Sequence, residues 1–372
     1  MAIEFSFTDE HEELRATVRA FLAEKSDEAA VRAQMATERG FDPAVWTQMA
    51  EQLGLAGLII PEEHGGAGMG YVELLVVMEE MGRALACAPF LGTAVFATNA
   101  LLLGANDTTR KELLAGIAAG RLIASVAHAE PNGRWDAAGI EMRAAKSGSE
   151  FTLSGRKCWA LDGHSADVLL VFARSDAGLS LFRVDAKARG LRRTLVPSLD
   201  LTRKLAHLDF DRVPAALISS GDQTEVFAQV LGRTEAALAA EQVGGAQWCL
   251  DTSVAYAKTR LQFGRPIGSY QAIKHKCADM LVQVEFAKSA AYAACFAAAG
   301  DESDFLETAA LAKSYCSEAY FHAAADTIQI HGGMGFTWEL PVHLYFKRAK
   351  ASELLFGDAA HHRERLAGMI GL

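Results

Sequence analysis

The chain has 372 residues, 51% of them apolar and 22% charged, with only 8 prolines. At roughly 100–200 residues per domain that allows two or three domains, and so much apolar material excludes a wholesale disordered chain. A formal net charge of −10 argues against a general binder of nucleic acid or anionic membranes.

The longest unbroken apolar run, Ala290 to Ala299, falls far short of the roughly eighteen residues that span a bilayer, so no membrane insertion is expected. The opening stretch MAIEFSFTDEHEELR lacks a basic segment followed by an apolar core, so no secretory signal is expected. The cysteines (Cys87, Cys158, Cys249, Cys277, Cys295 and Cys316) are scattered without a C-x-x-C pair. Reduced core thiols in a cytoplasmic protein are the expectation, with no metal site.

Residues 1–120 read as a helical domain. Asp9 and Glu12 fit a capping-box spacing, and Leu14, Val18, Phe21 and Leu22 then share one face at helical period. A second helix is expected from about Tyr71 to Leu85. Between them, PEEHGGAGMG (Pro61 to Gly70) is a glycine-rich connector that lacks the lysine and Ser/Thr of a phosphate-binding loop. Residues 121–222 change character: β-rich runs at Val168–Phe172 and Leu179–Phe182 are separated by turns at Asp162-Gly163, Asp176-Ala177-Gly178 and Ala188-Arg189-Gly190. That spacing predicts a β-barrel or sandwich. Residues 223–372 are helical again, rich in Ala, Leu, Glu and Gln. The fold class is α+β, with a middle β-domain between two helical parts.

Two stretches carry most of the chemistry: YAKTRLQFGRPIGSYQAIKHKCADM (Tyr256 to Met280) and QIHGGMGFTWELPVHLYFKRAK (Gln329 to Lys350). Arg260 can pair bidentately with a pyrophosphate. Phe263 can offer an apolar face to adenine or flavin, and Gln271 can hydrogen-bond ribose or adenine. Gly332 and Gly333 remove side chains where a backbone must approach a phosphate, with Gln329 placed to help. Together with EEHGGAGMG and AEPNGRWD, these motifs resemble the acyl-CoA dehydrogenase family of flavoproteins over essentially the whole chain.

The resemblance implies an acyl-CoA dehydrogenase-like fold: an N-terminal helical domain, a middle β-barrel domain and a C-terminal four-helix bundle. It implies FAD, a homo- or hetero-oligomer built as a dimer of dimers, and α,β-dehydrogenation of an acyl-CoA. In that reaction a base takes the α-proton, the β-hydrogen leaves as hydride to flavin N5, and an electron-transferring flavoprotein reoxidises the flavin. In the family the two motifs mostly grip the ADP half of an FAD whose ring lies largely in a neighbouring subunit.

The departures from the family pattern bear on catalysis. Aligned without gaps from Gln329, the base-bearing Y-E-G-T motif falls on Leu355-Phe356-Gly357-Asp358, which puts Phe356 at the base position. Relatives that place the base on an earlier helix, 26 residues before the motif arginine, correspond to Thr234 here, and a threonine is no base for an α-proton without an activating partner. The T-E-P motif reads Ala129-Glu130-Pro131 and the W-I-T/S motif reads Trp159-Ala160-Leu161, so two flavin-side hydroxyls are lost. At about 0.5–1.5 kcal/mol each, that weakens flavin binding by roughly ten- to a hundredfold.

Glu241, two helical turns after Thr234 within a run of small residues, is the candidate substitute base; the alternative is a structural glutamate paired with an arginine. Asp358 and Glu235 are weaker candidates, the latter pointing about 100° away from the Thr234 face. His128, His275 and His331 read as structural hydrogen-bonding residues. Two functions compete: an active dehydrogenase using Glu241, or a non-catalytic subunit of a heterotetramer that lends FAD contacts to a sister chain. Heteromers of that kind are known in the family for bulky CoA thioesters such as sterol side chains. A DNA-associated relative is disfavoured by the acidic balance.

Overall fold

The computed structural model describes residues 7–148 and 150–372. In chain order the elements are α1 (Asp9–Lys25), α2 (Glu28–Met35), α3 (Pro43–Glu51), α4 (Tyr71–Arg83), α5 (Thr98–Gly104) and α6 (Asp107–Ala118). The strands β1 (Ala124–Ala127), β2 (Ala144–Ser147), β3 (Glu150–Leu161), β4 (Val168–Ser175), β5 (Gly178–Asp185), β6 (Leu191–Leu195) and β7 (Leu205–Leu217) follow. The chain then forms α7 (Thr224–Thr259), the short hairpin β8 (Leu261–Gln262) and β9 (Arg265–Pro266), and α8 (Gln271–Gly300), α9 (Phe305–His331), α10 (Val342–Leu354) and α11 (Ala359–Met369). The order helical, β, helical is the one the sequence predicts.

The chain divides into two compact units. The first gathers Met1–Arg32, Tyr71–Ala86 and Glu235–Leu372, and the second Ala33–Gly70 and Cys87–Thr234. The N-terminal helices are therefore shared out: α1 and α4 belong with the C-terminal helices, while α3, α5 and α6 belong with the sheet.

In the first unit, α1 starts one residue earlier than its expected cap. Thr8, not Asp9, is the N-cap: its side chain accepts the His11 N–H, and His11 reaches back to the Thr8 N–H. The Thr8 hydroxyl and the His11 ring thus fill the reciprocal roles expected of Asp9 and Glu12. Val18 and Leu22 are buried as their periodicity predicts. Polar ties fix α1 to α4: Arg15 donates to Glu79 at 2.6 Å and to Glu80 at 3.4 Å, and Arg19 donates to Glu80 at 2.8 and 2.6 Å. From α8, the Tyr292 hydroxyl donates to Glu79 at 3.1 Å.

Helices α4 and α7 cross at glycines. A Cβ on Gly244 would lie 1.8 Å from the Glu79 carbonyl oxygen, and one on Gly82 would lie 1.9 Å from that of Glu241. No other residue fits there, because backbone rather than a movable side chain meets the added carbon. This crossing places Glu241 hard against α4.

In the second unit the strand order is β1-β4-β5-β7-β3-β2, with β6 on β7. β1 and β4 run parallel; the remaining pairs are antiparallel. β4 and β5 fall on the two apolar runs seen in the sequence. Long β7 serves three ladders, with β3 and β6 along most of its length and with β5 at its end. The Cys158 N–H bonds the Ala129 carbonyl at 2.8 Å and the Ser125 hydroxyl bonds the Leu161 carbonyl at 2.6 Å, so β3 returns to β1 and the sheet curls toward a barrel. Its core includes Phe172 against Phe227, ring centroids 4.8 Å apart.

The α4–α7 crossing generates a contrast between two helical glycines. Gly244→Ala is expected to destabilise the protein by about 1–3 kcal/mol or more. Gly368→Ala, in α11 with open space around the added carbon, should be neutral or stabilise by up to about 1 kcal/mol. Denaturant unfolding of the two variants checks both signs.

Candidate functional site

The site is assembled in the first unit from the end of α7, the β8–β9 hairpin, the start of α8 and the end of α9. Helix α7 closes on Arg260, whose N–H donates to the Tyr256 carbonyl at 2.8 Å. The Arg260 carbonyl then accepts the Ile267 N–H at 2.8 Å, which folds the next residues into the hairpin. Its turn is Phe263-Gly264, with φ of +52° and +80°. Positive φ at both central residues matches the twist of a two-residue hairpin but is strained for a phenylalanine. That strained ring is 92% exposed.

The Tyr270 hydroxyl donates to the Gln262 carbonyl at 3.1 Å, and the Arg265 guanidinium lies 4.1 Å over the Tyr270 ring, bracing the hairpin on the start of α8. Gln271, the first residue of α8, meets His275 at 3.2 Å. Arg260 and Gln271 are exposed, and Arg260 forms no ion pair among the described residues.

The second segment is the end of α9. Gln329 is exposed, His331 buried, and Gly332 and Gly333 exposed. Gly332 holds φ +62° and ψ −143°, a conformation open to glycine alone. Nothing lies within 4 Å of where a Cβ would stand on either glycine, so both leave bare backbone facing open space. Two rungs tie this segment to the end of α7: Ser253 Oγ donates to Thr327 Oγ1 at 3.0 Å, and the Tyr256 and His331 rings stack with centroids 4.1 Å apart. At the start of α8, Lys276 is ion-paired to Asp326 of α9. The structure therefore brings both sequence motifs to one end of the bundle. An unpaired guanidinium, an exposed strained ring, two exposed amides and a side-chain-free bend fit the ADP half of an FAD.

Glu241 lies elsewhere. It sits 19 residues before Arg260, about 28 Å along the same helix. Its carboxylate accepts a hydrogen bond from Arg348 at 3.0 Å, and both side chains are buried. A guanidinium at that distance supplies the counter-charge that a buried carboxylate needs. This is the arginine pairing that the sequence leaves open as the alternative to a base.

The other candidate carboxylates are also engaged. Glu235 takes two bonds from Arg365, at 2.9 and 2.7 Å. Burial alone would raise its pKa, but Arg365, His362 and Lys313 together bring it below the ordinary value. Asp358 caps α11 by accepting the His361 N–H at 2.9 Å. Phe356, at the family's base position, is buried with φ +63°. Its turn is pinned by the buried Lys313 ammonium, which donates to the Glu353 carbonyl at 3.1 Å, the Gly357 carbonyl at 3.0 Å and Ser317 at 3.0 Å. Thr234, the other base position, spends its hydroxyl on the Val230 carbonyl at 2.8 Å.

In the second unit the two altered flavin-side motifs lie side by side through the Cys158–Ala129 bond. Glu130 accepts Lys157 at 2.7 Å and the N–H groups of Met142 at 2.9 Å and Glu141 at 3.1 Å. Lys157 also donates to the His128 carbonyl at 3.0 Å. His128 is buried among Phe96, Trp135 and Phe227. Burial, aided by Lys157, pushes its pKa down to about 3, as suits a structural neutral imidazole. Trp159 holds φ +53° and packs against Trp135 at 5.8 Å. In the loop Pro61–Gly70, the N–H groups of Gly66, Ala67, Gly68 and Met69 all bond carbonyls of Gly57 to Pro61. None is left for a phosphate, in keeping with a connector.

No local sequence signal marks Lys313, Arg348 or Tyr256 as a functional candidate, and His331 reads there only as a structural residue. Nothing in the spacing of Tyr256 and His331, 75 residues apart, reveals that they touch.

Three family models match the chain: the acyl-CoA dehydrogenase N-terminal domain over residues 8–121, the middle domain over 125–213 and the C-terminal domain over 224–370. The chain thus belongs to the acyl-CoA dehydrogenase family, FAD-dependent oxidoreductases that dehydrogenate acyl-CoA thioesters. It is 36% identical over 360 residues to acyl-CoA dehydrogenase IpdE2 of Mycolicibacterium smegmatis, covering 96% of this chain and 98% of that protein. Among solved structures it resembles a variant of the Tcur3481-Tcur3483 steroid ACAD, with TM-score 0.89, 30% identity and 98% of both chains covered. It also resembles the ChsE4-ChsE5 complex from Mycobacterium tuberculosis, with TM-score 0.91, 27% identity and 99% of both chains covered. No described helix is long and apolar enough to cross a membrane.

Two outcomes follow from these pairings. Arg348→Met is expected to cost about 3–5 kcal/mol by stranding Glu241, whereas Arg348→Met combined with Glu241→Leu should recover most of that loss; urea unfolding of the set measures the coupling. For His128 the folded pKa lies below the unfolded value, so the unfolded chain binds the extra proton. Its contribution is intact above about pH 6.5 and drains away as the pH falls toward 3. His128→Phe should flatten the acid limb of the stability curve by up to about 1.4 kcal/mol per pH unit, read from denaturation midpoints between those limits.

Proposed function

We propose that this chain is the non-catalytic half of a heteromeric acyl-CoA dehydrogenase. It lends Arg260, Phe263, Gln271, Gln329 and the Gly332–Gly333 bend to an FAD whose ring faces a sister chain, and the sister chain carries the base. The observation that carries this reading is the contrast within one unit. The nucleotide-gripping residues stand exposed, whereas Glu241, Glu235 and Asp358 are each engaged by Arg348, Arg365 or a helix N-terminus. Phe356 and Thr234, at the two base positions, have no proton-accepting carboxylate.

When bound, FAD supplies the acceptor for the hydride leaving the β-carbon. This chain's residues hold the nucleotide half: Arg260 as counter-charge for the pyrophosphate, the bare glycine backbone as close-range donor, and Phe263 as an apolar face. The α-proton is taken by a carboxylate of the sister chain, and an electron-transferring flavoprotein takes the electrons onward.

An apolar stripe on the outer bundle supports assembly with a second chain of the same fold. Leu281, Val282 and Phe286 of α8 and Leu311 and Tyr315 of α9 are exposed, with the Phe286 and Tyr315 rings in edge contact at 6.4 Å. Burying such a patch is what drives association. The likeness to structures named as a two-component complex and as a steroid ACAD supports a heteromer acting on a bulky CoA thioester.

The test is expression of the chain alone and together with a family member that retains the base glutamate. Alone, the chain should bind flavin poorly and turn over no CoA thioester. The co-assembly should carry flavin and activity, keep turnover within about twofold on Glu241→Gln, and lose flavin affinity at least about tenfold on Arg260→Ala. A fully flavinated assembly of this chain alone, whose turnover collapses on Glu241→Gln, would reinstate Glu241 as the base and overturn the reading.

A further inference from the structure

Tyr256 and His331 stand outside the set of residues proposed to grip the nucleotide, yet together they join the two motifs. Their rings stack at 4.1 Å with planes 26° apart. His331 Nδ1–H donates to the Thr327 carbonyl at 2.7 Å, which fixes the tautomer and the plane of the ring. One turn earlier Thr327 Oγ1 accepts from Ser253 and donates to the Ala323 carbonyl at 2.7 Å. Ser253 and Tyr256 lie three apart on α7, and Thr327 and His331 four apart on α9, so each pair shares a helix face.

The stack is the last rung of this ladder. Immediately beyond it, Arg260 hangs from the Tyr256 carbonyl by its N–H at 2.8 Å, and Gly332 departs from His331 at φ +62°. The two halves of the clasp therefore diverge from a single aromatic contact.

We propose that Tyr256 and His331 form a positioning pair that sets the separation of Arg260 from the Gly332–Gly333 bend, so that one dinucleotide meets both at once. The proposal rests on the reading of that end of the bundle as a nucleotide clasp. Groups on two chain segments act together only when held at the right distance beforehand; otherwise binding must supply the ordering. A stack of rigid rings does this with few rotatable bonds to fix, and the Thr327 carbonyl prevents the imidazole from turning.

The experiment uses the full chain in the assembly in which it is purified, stripped of flavin and titrated with FAD, with flavin fluorescence giving the dissociation constant. Thermal unfolding of the flavin-free protein is recorded alongside. His331→Ala and Tyr256→Leu are expected to raise the dissociation constant by about tenfold, with the flavin-free midpoint shifted by only a few degrees. His331→Phe and Tyr256→Phe keep a stacked ring and should restore near-parental affinity.

Unchanged FAD affinity in His331→Ala and Tyr256→Leu, while Arg260→Ala weakens it, overturns the pair's role and leaves the clasp standing. Phenylalanine variants that bind as weakly as the truncations also overturn it. Parental affinity in Arg260→Ala overturns the clasp itself, and the proposal with it. Should His331→Ala fail to assemble, the Tyr256 variants, altered at a half-buried ring, decide the question alone.

Discussion

Every buried glutamate of the helical unit, among the described residues, is tied to an arginine. Glu79 and Glu80 take Arg15 and Arg19, Glu235 takes Arg365, and Glu241 takes Arg348. A carboxylate without a partner at such depth costs several kcal/mol, so these pairings are a condition of the fold rather than an ornament. They also decide the chemistry. Basicity toward a weakly acidic carbon requires a carboxylate whose charge is poorly compensated, and an arginine at hydrogen-bond distance does the reverse. On the proposed reading, the charges that let the bundle close are also what keeps its candidate glutamates from acting as the base.

Much of the architecture was legible in the sequence because it rests on periodicity and on contiguous motifs. The β4 and β5 runs, the α1 apolar face and the glycine-permitted packing around Glu241 are local patterns. Arg260, Phe263 and Gln271 could be read as one gripping segment, and Gln329 with Gly332 and Gly333 as another, because glycine and arginine at those spacings carry their own geometry.

What sequence could not supply is partnership at long range. Glu241 reads as a base on helical phase alone, and its pairing with Arg348, 107 residues away, is visible only in the structure. The Thr8 cap differs from Asp9 for a smaller reason: His11 substitutes for the usual glutamate of a capping box, a reciprocal bond that a search for acidic spacing passes over. The meeting of Tyr256 with His331 depends on the phase of two helices joined through α8, which no local pattern encodes.

The β unit keeps its framework where its contact residues have changed. The motifs that lost hydroxyls at Ala129 and Leu161 still hold their shape: Glu130 is saturated by Lys157 and two backbone donors, and Trp159 retains a strained φ of +53°. Strain of that kind costs about 1–3 kcal/mol and persists only where the surroundings hold it. A framework preserved beneath altered contact residues accords with the proposed reading, in which the domain must still fold and assemble while a sister chain steers the reaction. The bundle shows the same division. The turn that carries a base in relatives is still built, with two bonds from Lys313 holding it, yet it carries Phe356. On the proposed reading scaffold and chemistry have separated in both units, and the nucleotide clasp, which would serve a neighbour's cofactor, is the functional surface left in full.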